Sequence, residues 1–146
     1  IWGINNRLQP FQAVIGYKLL DQMENLIKKR NEIAKFYDNQ LKNISEIELP
    51  ERLKNTREVF QLYKIKVKKR TNLIKFLKKN KIDTSIHYPI PIHLQKVAKS
   101  LGYKKGDFKI TERHAKEVLT LPCHQYLSKK QITFVIKMIK KFYKNK

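Results

Sequence analysis

Two prolines stiffen residues 86–95, which read Ile-His-Tyr-Pro-Ile-Pro-Ile-His-Leu-Gln. A proline fixes its own φ and pushes the residue before it toward extended geometry. The stretch is therefore predicted to be a rigid loop that presents the polar side chains of His87, Tyr88 and His93. The rest of the chain is patterned like a scaffold that holds this loop.

A long helix is predicted for residues 10–41. Pro10 suits the first helical position, where a backbone N–H is not needed. Apolar side chains recur at helical spacing along this segment and predict one buried stripe, formed by Ile15, Leu19, Met23, Leu26, Ile33 and Tyr37.

Alternation of apolar and polar residues predicts two strands, over residues 59–67 and 82–88. A short helix is predicted between them, with Thr71 as its N-cap and Asn80 as its left-handed end. The positions predicted to be buried in the first strand and in this helix are Val59, Tyr63, Ile65, Val67, Leu73, Ile74 and Leu77.

Shorter elements and a terminal helix follow the proline loop. Helices are predicted over residues 94–101 and 111–118, and a strand over residues 119–122. Ser128 and Gln131 have the spacing of a capping box, which marks the start of the last helix.

The order of these elements predicts an α+β fold in which helices pack on one face of a small sheet. Residues 1–41 would form an opening loop and a long linking helix, and residues 42–146 a small α+β domain. No apolar run reaches the roughly 20 residues that a membrane span requires, so no membrane partner is predicted. The single cysteine, Cys123, excludes an internal disulfide and favours a cytoplasmic protein.

The chain is strongly basic, with 33 Lys and Arg against 12 Asp and Glu. Such a balance is typical of proteins that bind nucleic acids or anionic surfaces. However, 27 of the 33 basic residues are lysine and 6 are arginine, whereas base recognition depends on the arginine fork. Biased composition therefore explains the charge better than a specific nucleic-acid partner does.

Metal and nucleophile chemistry find little support in the sequence. His87 and His93 lie six residues apart, a separation of ~19 Å in an extended chain, so no metal site is predicted. Cys123 and His124 are adjacent in sequence, and the side chains of adjacent residues rarely face each other, so a Cys–His nucleophile pair is not predicted. No glycine-rich phosphate loop is present. The chain contains no complete catalytic set, and its polar loops favour binding over bond-making.

Several motifs in the same order resemble one family, the DegT-type (DegT/DnrJ/EryC/StrS) nucleotide-sugar aminotransferases, which depend on pyridoxal phosphate. The matching pieces run through most of the chain. They are Gly3-x-Asn5-x-Arg7-Leu8, Gln12-Ala13, His87-Tyr88-Pro89-x-Pro91-x-His93-x-Gln95, Leu101-Gly102-Tyr103, Gly106-Asp107-Phe108 and Leu119-x-Leu121-Pro122.

The resemblance implies that the chain is the small C-terminal domain of a fold-type I pyridoxal-phosphate transferase, whose complete enzyme is α/β. That enzyme would be a cytoplasmic homodimer that moves an amino group, with glutamate as the implied donor, to a nucleotide-linked keto-sugar for surface-polysaccharide or amino-sugar synthesis. The lysine that binds the cofactor covalently would lie in a large domain preceding Gly3. No catalytic residue is therefore assigned to this chain, which alone would be inactive.

The resemblance also implies roles for particular residues. Asn5 would reach the cofactor phosphate across the dimer, and Arg7 would be a second cofactor contact. His87, Tyr88 and His93 would border the nucleotide-sugar site. Judged without the family, Asn5 would be a turn residue before a helix, and Tyr88 a strand residue facing the core.

The chain departs from the family pattern at several positions. Lys81, for example, stands where a glycine is usual. Two other hypotheses stay open at this point: a basic module that binds nucleic acid or an anionic surface, and an inactive remnant of the same family.

Overall fold

The computed structural model describes residues 7–144. The strands of the described chain form one antiparallel sheet, in which Tyr63–Val67 lies between Ile47–Glu48 and Val118–Leu121. Two short 3-10 helices, Ile92–Leu94 and Lys96–Leu101, follow the proline loop. The other elements are α1 (Pro10–Leu20), α2 (Met23–Leu41), β1 (Ile47–Glu48), β2 (Tyr63–Val67), α3 (Arg70–Lys79), α4 (Lys109–Glu117), β3 (Val118–Leu121) and α5 (Lys129–Lys144).

Strand β2 organises the core because its side chains alternate. Tyr63, Ile65 and Val67 are buried, as the sequence predicted, whereas Val59 precedes the strand and is exposed. Helices α2 and α5 contribute the largest share of the remaining core, and α5 also packs against α3. The predicted α+β class is therefore confirmed.

The single long helix predicted for residues 10–41 is wrong, because the segment folds as two helices, α1 and α2. The amide of Gln22 donates to the carbonyl of Leu19, three residues back, and this closes a turn between them. Helix α1 buries none of its residues. Ile15 and Leu19 are about half exposed, so the predicted stripe packs into the core only from Ile33 onward.

Three local predictions around α3 also need correction. Thr71 does not cap this helix; the residue before the helix is Lys69, in a left-handed conformation. Asn80 is not the left-handed end either, since its φ is −92° and the left-handed residue is Lys81, with φ 58°. The Asn80 side-chain amide donates to the Phe76 carbonyl at 2.8 Å. The same carbonyl also accepts a bond from the Asn80 backbone amide at 3.2 Å, so Asn80 closes the last turn with both its side chain and its backbone.

The second predicted strand, over residues 82–88, is reduced to one bridge between Ser85 and Thr120. β3 pairs with β2 at all four of its residues, whereas residues 82–88 meet β3 at Thr120 alone. The helix predicted over residues 94–101 is replaced by the two 3-10 helices. The capping box is confirmed, because the Ser128 amide donates to Gln131 Oε1 at 2.9 Å and the Gln131 amide to Ser128 Oγ at 3.3 Å.

Within residues 7–144, no helix is both long enough and apolar enough to cross a membrane.

Candidate functional site

The proline loop is attached to the sheet through Thr120 of β3. The Thr120 amide donates to the Ser85 carbonyl at 2.8 Å, and the Ser85 amide donates back to Thr120 at 3.2 Å. Thr120 is itself buried, and its hydroxyl lies 3.0 Å from Nδ1 of His87. One strand residue thus holds both the backbone that leads into the loop and the first imidazole of the loop.

The end of β3 is anchored from beneath by the core. The buried hydroxyl of Tyr37 on α2 donates to the carbonyl of Pro122 at 3.0 Å. The rings of Tyr37 and Tyr63 stack with their centroids 4.9 Å apart. Because these contacts fix β3 relative to α2 and β2, the position of Thr120 is set by the rigid part of the fold.

His87 lines two cavities. The first, of about 790 Å³, lies toward the start of α5, and the second, of about 530 Å³, lies toward β1 and α4. Both volumes fall within the range of about 300–1,000 Å³ that is usual for ligand sites. Polar residues of the first cavity include Lys81, Asp83, Ser85, His124, Lys130 and Gln131, and those of the second include Glu48, Glu51, Lys64, Lys66, Tyr88 and His114.

Tyr88 is the most open of the three side chains singled out in this loop. It is 75% exposed, and its ring meets that of His87 edge-on, with the centroids 5.6 Å apart. The sequence alone would have turned Tyr88 toward the core. The structure instead leaves its hydroxyl available to a ligand at the mouth of the second cavity.

His93 is buried, unlike Tyr88. Its Nε2 lies 3.1 Å from Oε1 of Glu112 on α4, and the amide of Gly106 donates to the same oxygen at 2.7 Å. The hydrogen bond from Gly106, together with the nearby imidazole, lowers the pKa of the Glu112 carboxyl. Gly106 has φ 102°, a conformation that favours glycine. His93 therefore ties the far end of the loop to α4.

The structure brings some predicted site residues together and leaves others apart. His87 and Tyr88 meet at the cavities, and His93 joins the same loop from its buried side. Arg7 is exposed just before α1 and lines neither cavity. Asn5 lies outside the described residues. Thr120 and Glu112 were not predicted as site residues, since only the fold shows that they contact His87 and His93.

Cys123 and the histidines do not form a metal or nucleophile site. No group of three or more potential metal ligands occurs among the described residues. Cys123 is buried, and its thiol is directed to the carbonyl of Arg30 at 3.9 Å. Burial raises the pKa of this thiol to about 11, which leaves little thiolate at neutral pH.

Solved structures share the fold of this chain over nearly its whole length. DesV from S. venezuelae, in complex with a ketimine intermediate, superposes with a TM-score of 0.90 at 28% identity and covers 97% of this chain and 38% of its own. A DegT DnrJ EryC1 StrS aminotransferase from Brucella abortus has a TM-score of 0.86 at 31% identity, and the match covers 97% of this chain and 37% of that aminotransferase.

Curated relatives give the same result at the level of sequence. A pleiotropic regulatory protein of Geobacillus stearothermophilus is 34% identical over 147 residues, which are 99% of this chain and 40% of that protein. The dTDP-3-amino-3,6-dideoxy-alpha-D-galactopyranose transaminase of Aneurinibacillus thermoaerophilus is 31% identical, over 96% of this chain and 38% of the enzyme. The chain thus spans about two fifths of the length of these relatives.

The pattern that defines a whole family matches residues 1–140. It covers the opening motif, the proline loop and the Leu-x-Leu-Pro strand that the sequence had singled out. The chain belongs to the DegT/DnrJ/EryC1/StrS aminotransferase family.

Proposed function

We propose that this chain is the small-domain segment of a pyridoxal-phosphate-dependent aminotransferase that aminates a nucleotide-linked keto-sugar. The observation that carries the proposal is the family match over residues 1–140. Relatives named as sugar transaminases support the substrate class. They include a dTDP-3-amino-3,4,6-trideoxy-alpha-D-glucose transaminase of Streptomyces venezuelae and a UDP-2-acetamido-2-deoxy-3-oxo-D-glucuronate aminotransferase of Pseudomonas aeruginosa.

The proline loop would supply one wall of the sugar site. His87 borders both cavities and Tyr88 opens onto the second, so these side chains can exchange hydrogen bonds with sugar hydroxyls or phosphate oxygens. His93 would act from its buried pair with Glu112 by holding the loop in place. A loop held at both ends, by Thr120 and by Glu112, needs little ordering when a ligand binds.

Asn5 and Arg7 would contact the cofactor phosphate. Arg7 is exposed and lies three residues before the start of α1. Its planar guanidinium suits the geometry of a phosphate held by another part of the protein. Pyridoxal phosphate, when bound, supplies an electron sink for breaking bonds at the amino-bearing carbon. The complete protein would be a cytoplasmic homodimer in which Asn5 reaches the neighbouring active site.

The proposal also divides the segment into two parts. Residues 1–41 would connect the small domain to the cofactor domain, and residues 42–146 would form the small domain itself. The exposed apolar surface of α1 suits a connecting role, because Phe11, Val14 and Tyr17 are all more than 60% exposed.

The test uses the full-length protein, incubated with pyridoxal phosphate, ¹⁵N-glutamate and a panel of dTDP- and UDP-linked keto-sugars. We expect one nucleotide sugar to acquire ¹⁵N, detected by mass spectrometry, with stoichiometric formation of 2-oxoglutarate. Reactions without the keto-sugar serve as the control. A cofactor-loaded protein that transfers nitrogen to none of the nucleotide sugars, but does transfer it to simple keto acids, would refute the proposed substrate class.

A further inference from the structure

Thr120 contacts His87 in a way that restricts where the imidazole proton can be. The backbone N–H and C=O of Thr120 both pair with Ser85. The side-chain hydroxyl must therefore find a different hydrogen-bond partner. Solvent offers little, because the residue is only 7% exposed. Among residues 7–144, the hydrogen-bond partner of this hydroxyl is Nδ1 of His87, at 3.0 Å.

A hydroxyl carries one proton and a neutral imidazole carries one, so two arrangements are possible. If Nδ1–H donated to Thr120, the buried hydroxyl proton would need a second acceptor, and the described residues provide none. If the Thr120 hydroxyl donates to Nδ1, the buried hydroxyl and Nδ1 are both satisfied. The remaining donor, Nε2–H, then belongs to a half-buried residue that borders both cavities. Buried polar groups are nearly always paired in native structures, so the second arrangement is favoured.

This hydrogen bond also determines the protonation of the other ring nitrogen, Nε2. When Nδ1 accepts a hydrogen bond, the neutral ring carries its proton on Nε2. His87 lines both cavities, so it would offer an N–H donor to a ligand bound in either of them. The matching group on a ligand is an acceptor oxygen, such as a phosphate oxygen or a sugar carbonyl or hydroxyl.

We propose that Thr120 is a positioning residue that holds His87 as the Nε2–H tautomer and aims this donor at an acceptor oxygen of the nucleotide-sugar. The role in substrate binding rests on the proposed function, whereas the tautomer rests on the geometry alone. Serine can replace threonine here because it keeps the hydroxyl. Valine, which has the same shape without it, cannot hold the proton.

The tautomer is tested directly in the full-length protein labelled with ¹⁵N-histidine. In wild type, we expect Nδ1 of His87 to show the ¹⁵N shift of an unprotonated nitrogen and Nε2 that of a protonated one. His87→Gln assigns the signals. In Thr120→Val the two shifts should move toward an average of tautomers, and in Thr120→Ser they should stay as in wild type. A protonated Nδ1 in the neutral wild-type ring would overturn the proposal without recourse to any variant.

Kinetics test the link to substrate. Thr120→Val should raise KM for the nucleotide sugar about tenfold, equivalent to about 1.4 kcal/mol, and change kcat by less than about twofold. Thr120→Ser should restore KM. Thr133→Val, on the exposed face of α5, is the matched control and should change neither constant. A Thr120→Val protein that folds and keeps the wild-type KM would overturn the binding role.

The two parts of the hypothesis can fail separately. If the wild-type enzyme aminates no nucleotide sugar, the proposed function fails while the NMR measurement still decides the tautomer. If the enzyme is active but His87 is Nδ1-protonated, the proposed function stands and the role of Thr120 is refuted.

Discussion

Asp38 shows how single polar residues join the elements of this small fold. Its carboxylate accepts two hydrogen bonds from Arg52, each 3.1 Å long, and one from the hydroxyl of Tyr63 at 2.6 Å. Burial and this acceptor raise the pKa of Tyr63 well above its ordinary value. The guanidinium of Arg52 also lies over the ring of Phe60, 4.9 Å from its centroid. Helix α2, strand β2 and the loop before it are thereby held together at one point.

Cys123 yields a prediction about reactivity. Its pKa is raised from 9.0 to about 11 by burial, so at pH 8 the thiolate fraction is about a hundredfold lower than for an unperturbed thiol. Alkylation of the native protein by iodoacetamide should be slower by at least this factor than alkylation of the unfolded protein in urea. The rate should rise steadily with pH up to about 11.

A matched control is available in the same chain. Ser100 is exposed, so the Cys123→Ser, Ser100→Cys double variant carries its single cysteine at a solvent-exposed position. This thiol should react at nearly the unfolded rate. Equal rates for Cys123 and for Cys introduced at position 100 would mean that the Cys123 thiol is accessible and that its burial has been misjudged.

At the scale of elements, the end of α3 has an unusual backbone conformation. Lys81, where the resemblance led us to expect glycine, adopts φ 58°. A side chain in the left-handed region costs roughly 1–2 kcal/mol, which glycine avoids. Lys81 therefore holds a backbone conformation that glycine would adopt at lower cost.

Lys81→Gly should increase the free energy of unfolding by about 0.5–1 kcal/mol, because the relief of strain exceeds the added entropy of the unfolded chain. Lys75→Gly, at an exposed position inside α3, should instead lower it by about 1 kcal/mol. Urea unfolding followed by circular dichroism measures both. If both substitutions destabilise the protein equally, the left-handed conformation at residue 81 is wrong.

At the scale of the whole molecule, the positive charge is unevenly distributed. Helices α3 and α5 contain no acidic residue, and they pack together through Phe76 and Phe142, whose ring centroids are 5.5 Å apart. Five of the six arginines have partners within the chain: Arg30 with Gln125, Arg52 with Asp38, Arg57 with Glu24, Arg70 with Ala115 and Arg113 with Glu117. The sixth, Arg7, is exposed and lies before α1, away from these two helices in the sequence. The basic surface of these helices is therefore built from lysines.

Any binding to DNA should then be indifferent to sequence and sensitive to salt. We expect two unrelated duplexes to bind with equal affinity, and the binding constant to fall more than tenfold between about 50 and 200 mM salt, because lysine–phosphate contacts release counterions. Fluorescence anisotropy with labelled duplexes provides the measurement. Selective binding of one duplex at 150 mM salt would favour the alternative of a dedicated nucleic-acid module.

Local sequence patterns alone predicted strand β2 and the start of helix α5. The alternation through Tyr63, Ile65 and Val67 predicted β2 and its buried face, and the Ser128–Gln131 spacing predicted where α5 begins. These features depend on interactions between residues close in sequence, so they can be read without the fold. The ordered motifs likewise indicate the family from the sequence alone.

Only the tertiary structure decided the features that depend on distant partners. The break between α1 and α2 was not visible, because an apolar stripe does not say whether a core is present to cover it. The strand predicted over residues 82–88 became one bridge, because alternation predicts an extended segment but not how many of its residues meet a partner strand. Thr120 and Glu112 lie 33 and 19 residues from the histidines they contact, and a separation of this length leaves no local pattern in a single sequence.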